Sequence, residues 1–135
     1  MLFRSVGGGG TDRLIGGRGQ DILIGGAGQA TLQAGSGGDI LIGGTTAYDN
    51  NAAALAAILA EWTSSDDYAT RIARLTGATG GMNIINGTYY FLNDSPLKSN
   101  GLADNLYGGA GLDWYFAGMA DVFFNKTSGE VVTPI

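Results

Sequence analysis

A nine-residue period governs the first third of this chain. Fifteen of its 25 glycines fall between Gly7 and Gly44, and the segment divides into nines: GGGGTDRLI from Gly7, GGRGQDILI from Gly16, GGAGQATLQ from Gly25 and AGSGGDILI from Ala34, with Gly43-Gly44 opening a fifth. Leucine holds the eighth place in all four (Leu14, Leu23, Leu32, Leu41). Aspartate holds the sixth in three (Asp12, Asp21, Asp39), with Ala30 as the exception. A flexible Gly/Ser linker has no such period. Each unit reads as a turn followed by a short strand. The leading glycines permit positive φ and close backbone approach. The last three places alternate, so the eighth side chain points one way and its neighbours the other. One unit cannot bury its leucine alone, so the copies must stack.

Composition removes several chemistries. The 135 residues include no cysteine and no histidine, and 12 Asp+Glu face 7 Lys+Arg for a net charge of −5. Disulfides, thiol nucleophiles, histidine bases and Cys/His zinc sites are therefore excluded. The acidic balance argues against nucleic acid and anionic membranes and towards metal cations. No apolar run approaches the ~18–20 residues of a membrane span. The start also lacks the apolar stretch of a cleaved signal peptide, which argues against the general secretion route alone. No Gly-Lys-Ser/Thr follows the glycines, so they form no phosphate loop. No helix follows a copy directly, which disfavours a dinucleotide fold.

From Ala47 the pattern changes. Asn50-Asn51 precede AAALAAILAEW, a cap followed by strong helix formers. Leu55, Ile58, Leu59 and Trp62 share a helical face. Thr63-Ser64-Ser65 break the helix, Asp66 and Asp67 open a second, and Gly77 stops it. A helical hairpin is thus expected over residues 50–76. Its apolar stripe is the natural cover for the outward isoleucines of the repeats, Ile22, Ile24, Ile40 and Ile42. Short strands are expected at Met82–Ile85 and Thr88–Leu92. The motif then returns as GLADNLY from Gly101 and GGAGLDWYF from Gly108, with Asp104 and Asp113 in the sixth place. Asp121 follows in a slipped copy, and Trp114, Phe116, Phe123 and Phe124 are expected to cap the core.

The unit resembles the calcium-binding nonapeptide GGxGxDxUx (U apolar) of RTX, or hemolysin-type, proteins. The likeness is strong over residues 7–44 and 99–116 and weak between. It implies a mainly-β fold, a right-handed parallel β-roll (a β-solenoid) with a helical hairpin insertion. On this reading one domain spans 1–135: repeats over 7–44, the insertion with short strands over 45–98, and resumed turns with a cap over 99–135. Copies n and n+2 would stack, with calcium held between loops by carbonyls and sixth-place carboxylates. Carried over residue by residue, the metal ligands are Asp12, Gly17, Gly19, Asp21, Gly35, Gly37, Asp39, Asp104, Gly109, Gly111 and Asp113. Asp21 would pair with Asp39 in an intact site. Asp12 would face Ala30, with Tyr48 next, in a depleted one. Gln20, Gln29 and Gly38 stand where the family often has Asn or Asp.

The resemblance implies an extracellular structural module, exported by type I secretion and folding as it meets calcium. Catalysis is not expected, since loops and helix caps account for the carboxylates and Glu61 and Glu130 have no evident partner. The alternative from another class is a filament subunit, self-associating through the ends of the roll and binding little calcium.

Overall fold

A computed structural model of the chain describes residues 4–78, 86–87, 89–91 and 97–135. The repeats become strands that alternate between two sheets. One sheet takes β1 (Arg4–Val6), β3 (Ile22–Ile24), β5 (Ile40–Ile42), β9 (Trp114–Ala117) and β11 (Val131–Pro134), in that order. The other takes β2 (Asp12–Arg18), β4 (Ala30–Ser36), β8 (Asn105–Ala110) and β10 (Val122–Phe124). Every pairing in both sheets is parallel. A short antiparallel ribbon of β6 (Gly44–Thr45) and β7 (Lys98–Ser99) closes the segment between them.

Two helices lie among the described residues of that segment. In α1 (Ala52–Trp62), the Asn51 side chain accepts from Ala54 N at 3.0 Å. In α2 (Tyr68–Leu75), Asp67 accepts from Thr70 N at 2.8 Å. Each cap satisfies one of the orphan amides of a first turn.

Eighth-place residues form the smaller core, between the sheets: Leu23, Leu32, Leu41, Leu106 and Tyr115, flanked by Leu14, Phe123 and Val132. The larger core lies between the first sheet and the helices. There Ile22, Ile24, Ile40, Ile42, Trp114 and Phe116 meet Leu55, Ile58, Leu59, Trp62 and Leu75.

This architecture corrects the expected class. Among the described residues the fold is mixed α/β, with two parallel sheets and two helices; it is not the mainly-β right-handed β-roll. The reason lies in where apolar surface goes. A fully buried isoleucine gains ~1.5–3 kcal/mol over an exposed one, and four of them on one sheet face are buried beneath a second layer built mainly by the helices, with Phe91. The helices lie in the chain between the paired strands β4 and β8 and β5 and β9, and they also form a structural layer of the domain.

The aromatic cap is corrected as well. Trp114 and Phe116 are interior residues, whereas Phe124 stacks on Tyr107 with centroids 4.2 Å apart, outside either core cluster. The Met82–Ile85 strand lies outside the described residues, as do Thr88 and Leu92 of the next. Tyr89, Tyr90 and Phe91 are irregular backbone, with Phe91 N donating to Leu75 O at 2.7 Å.

Candidate metal centre

The turns between strands stack into two columns of glycine-rich loops. One column holds residues 16–21, 34–39 and 108–113, and the other 7–12, 25–30 and 99–104. At the stacked glycines a side chain would have no room. Gly37 sits at φ +124°, and a Cβ there would overlap Gly19 O; Gly35, at φ +112°, would overlap Gly17 O. Loop carbonyls thus face along the column, into the gap before the next loop.

Carboxylates thread the first column. Asp21 N donates to Asp39 Oδ1 and Asp39 N to Asp113 Oδ1, both at 2.7 Å, and Asp113 N donates to Glu130 Oε1 at 3.2 Å. Each carboxylate therefore takes a buried amide of the preceding layer, a charge-assisted bond that helps set the layer spacing. Asp21, Asp39 and Asp113 are fully buried and Glu130 nearly so. In the second column Ala30 N donates to Asp104 Oδ1 at 2.7 Å, and Asp104 N to Asp121 Oδ1 at 3.0 Å.

The second carboxylate oxygens differ. Asp12 Oδ2 accepts from Gly8 N, Asp121 Oδ2 from Gly118 N and Glu130 Oε2 from Thr127 N. Asp39 Oδ2 and Asp113 Oδ2 are buried without any hydrogen-bond partner. A buried anionic oxygen left so is unfavourable by several kcal/mol (order of magnitude), and the electrostatics register it. Burial, reinforced by the Asp21 charge and opposed by the Asp21 amide, pushes the Asp39 carboxyl up to about 7. Burial likewise raises Asp113, with the Asp39 and Glu130 charges adding to the rise. Burial also raises Asp121, although the Asp104 and Gly118 amides oppose it. A carboxyl raised to about 7, as those of Asp39 and Asp113 are, is offset near neutral pH by a proton or by a positive charge beside it.

Comparison with protein-family models, with curated proteins and with solved structures returns no match.

Of the expected ligands, Gly17, Gly19 and Asp39 border one gap of the first column, and Gly35, Gly37 and Asp113 border the next. Asp21 begins that carboxylate series. Gly109 and Gly111 stack on Gly35 and Gly37, and the layer beyond them supplies Glu130, whose two oxygens are both taken by amides. Asp12 lies in the first layer of the other column, level with Ala30, so no carboxylate enters the gap between them. The layer after Ala30 brings Asp104, not Tyr48. Gln20 and Gln29 turn to backbone carbonyls, those of Trp62 and Ala103.

Sequence reasoning missed Glu130 and Asn100. Glu130 lies 17 positions after Asp113, as Asp121 does after Asp104, against 18 between Asp21 and Asp39. That one-residue slip was the signal that could have found it. Asn100 carries no repeat signature.

Among the described residues no three Asp or Glu side chains converge as a metal cage. A cation here would draw on one carboxylate and several carbonyls per gap, a donor set of oxygens suited to a hard ion.

The helical layer also grips this column. Trp62 Nε1 donates to Gly38 O at 2.7 Å, and Tyr68 OH donates to Asp113 O at 2.6 Å while accepting from Val131 N at 2.8 Å. Arg71 lies over the Trp62 ring, 5.0 Å from its centroid, and bonds Trp62 O. The Trp62 and Tyr68 bonds fall at or next to Asp39, Asp113 and Glu130 in the chain.

Proposed function

We propose that this chain is an extracellular calcium-binding structural module, exported by type I secretion and folding to its ordered state as it binds the ion. One observation carries the reading. Asp39 Oδ2 and Asp113 Oδ2 are buried and unpartnered, in successive gaps of a column whose glycine carbonyls face the same way. Gly17, Gly19 and Asp39 would hold one ion, and Gly35, Gly37 and Asp113 a second. The ion would supply the positive charge that offsets the carboxylates. The nonapeptide resemblance to RTX repeats supports the same assignment and the secretion route. Ion binding to the folded column alone would then add to folding stability by mass action.

The test is circular dichroism and thermal melting with calcium against EGTA, on the wild type and on Asp39→Asn/Asp113→Asn. A calcium-dependent gain in β signal and melting temperature, absent from the double variant, is expected. Identical wild-type spectra and melting in EGTA and calcium would overturn the proposal.

A filament built through the sheet ends is the second reading. It draws on the edges of β1 and β2, which no strand covers among the described residues. The other end works against it. Edge strand β11 carries Pro134, which has no N–H to offer. The amides of Asp121 and Glu130 turn inward, onto Gly118 O and Thr127 O. Light scattering is expected to give a monomer with or without calcium.

A further inference from the structure

At one layer the two loop columns differ in their donors: among the described residues, the second carries a fixed side-chain donor where the first carries none. Asn100 lies in the turn just after β7, and its Nδ2 donates to Gly26 O at 3.2 Å, to Gly28 O at 2.9 Å and to Asp104 Oδ2 at 2.9 Å. Its Oδ1 accepts from Leu102 N at 2.8 Å, which fixes the orientation of the amide. Gly26 and Gly28 occupy the second and fourth places of their repeat, as Gly17 and Gly19 and then Gly35 and Gly37 do in theirs. Asp104 occupies the sixth place, as Asp39 and Asp113 do. Three equivalent gaps thus offer the same types of oxygen donor. In two of them the carboxylate Oδ2 has no partner; in the third it is bonded to an amide nitrogen that also reaches both carbonyls.

We propose that the Asn100 side chain takes the place of a cation in the gap between loops 25–30 and 99–104, and that this gap is a latent calcium site closed by one amide. Three acceptors converge on one NH₂ group with two hydrogens, so the amide meets them with the positive end of its dipole. The same three oxygens suit a hard divalent ion. The second column is therefore held without an ion at this layer, whereas the first depends on one. This rests on the calcium reading of the first column, but its test can succeed or fail separately.

Asn100→Asp is nearly isosteric. It keeps the acceptor for Leu102 N and exchanges the donor for an anionic oxygen, leaving two carboxylates and two carbonyls in one gap. The variant is expected to melt lower than wild type in EGTA and to recover in calcium. Isothermal titration calorimetry should count one more calcium per chain than wild type. Asn100→Ala, which removes the donor without adding charge, is expected to show a larger calcium-induced rise in melting temperature than wild type. Equal loss of stability with and without calcium in both variants, and no added ion, would overturn the inference and leave Asn100 a plain structural hydrogen bond. If wild type ignores calcium while Asn100→Asp gains an ion, the proposed function falls and this inference stands. If wild type responds and neither variant departs from it, the inference falls alone. Absence of any calcium effect in all three proteins overturns both.

Discussion

At the scale of single residues, buried carboxylates and glycines set the behaviour of the loops. Asp39 and Asp113 have carboxyls raised above the ordinary value of ~4. The folded state therefore keeps protons that the unfolded chain has already released. Their contribution to stability is fully present below about pH 4 and is lost as pH rises through about 7, the folded value for Asp39. Metal-free protein in EGTA is expected to melt higher at pH 5 than at pH 8, with calcium narrowing or reversing the difference. A flat or rising melting temperature in EGTA across that range would contradict the assignment. Asp67, held below the usual range by Thr70 N–H, acts with the opposite sign only at more acid pH. The glycines make a second prediction. Gly37→Ala meets both a left-handed φ and the Gly19 carbonyl, so denaturant unfolding should show a loss of more than ~1 kcal/mol. Gly9→Ala faces open space and should change stability by under ~0.5 kcal/mol.

At the scale of elements, α1 and α2 both cover a sheet and hold a column in place. Trp62 is fully buried and packs against Trp114 at 5.8 Å between centroids, while its indole N–H fixes Gly38 beside Asp39. Tyr68 ties α2 to Asp113 and to Val131 through one hydroxyl. Tyr68→Phe keeps the ring and removes both bonds. It is expected to lower stability by ~1–2 kcal/mol and to raise the calcium midpoint about 10-fold, as loss of an outer-shell partner does. Titration of Trp fluorescence reads the second effect. An unchanged midpoint would mean that the hydroxyl braces the helix and leaves the column untouched. Between the helices, Arg74 bridges Asp66 at 2.9 Å and the buried Glu61 at 3.6 Å. The hairpin is therefore braced across its own turn as well as on the sheet.

At the scale of the whole molecule, the two cores share the first sheet. Leu23 and Leu41 face one core, while Ile22, Ile24, Ile40 and Ile42 face the other. Neither core is complete without β3, β5 and β9. Unfolding in calcium is therefore expected to be a single transition, with far-UV dichroism and tryptophan fluorescence coinciding. Separate midpoints would show that the helical layer melts apart from the sheets. Pairing across the helical segment joins residues 74 positions apart, such as Asp39 and Asp113. Contacts that distant slow folding relative to a local topology.

Much of this was legible in the sequence because a nine-residue period repeats one physical problem. Leucine every nine residues needs a neighbour to be buried, and Asp21, Asp39, Asp104 and Asp113 recur at the place where a loop turns into a strand. The helix caps at Asn51 and Asp67 were equally local. Three things were not local. The fold class depended on how much core the helices supply, a matter of which faces meet rather than of any segment's propensity. Ala30 finds Asp104, 74 positions away, because the chain re-enters both sheets after the helices, and no spacing rule spans that excursion. Asn100 reaches Gly26, Gly28 and Asp104 because the β6–β7 ribbon delivers it into the layer that follows loop 25–30, where its amide meets oxygens from two layers. The sequence by itself determined the units, their inward leucines and the sixth-place carboxylates, since each depends on neighbours within nine residues. Only the tertiary structure decided which carboxylates remain unpartnered and which one is met by an amide, because that depends on donors brought from distant parts of the chain.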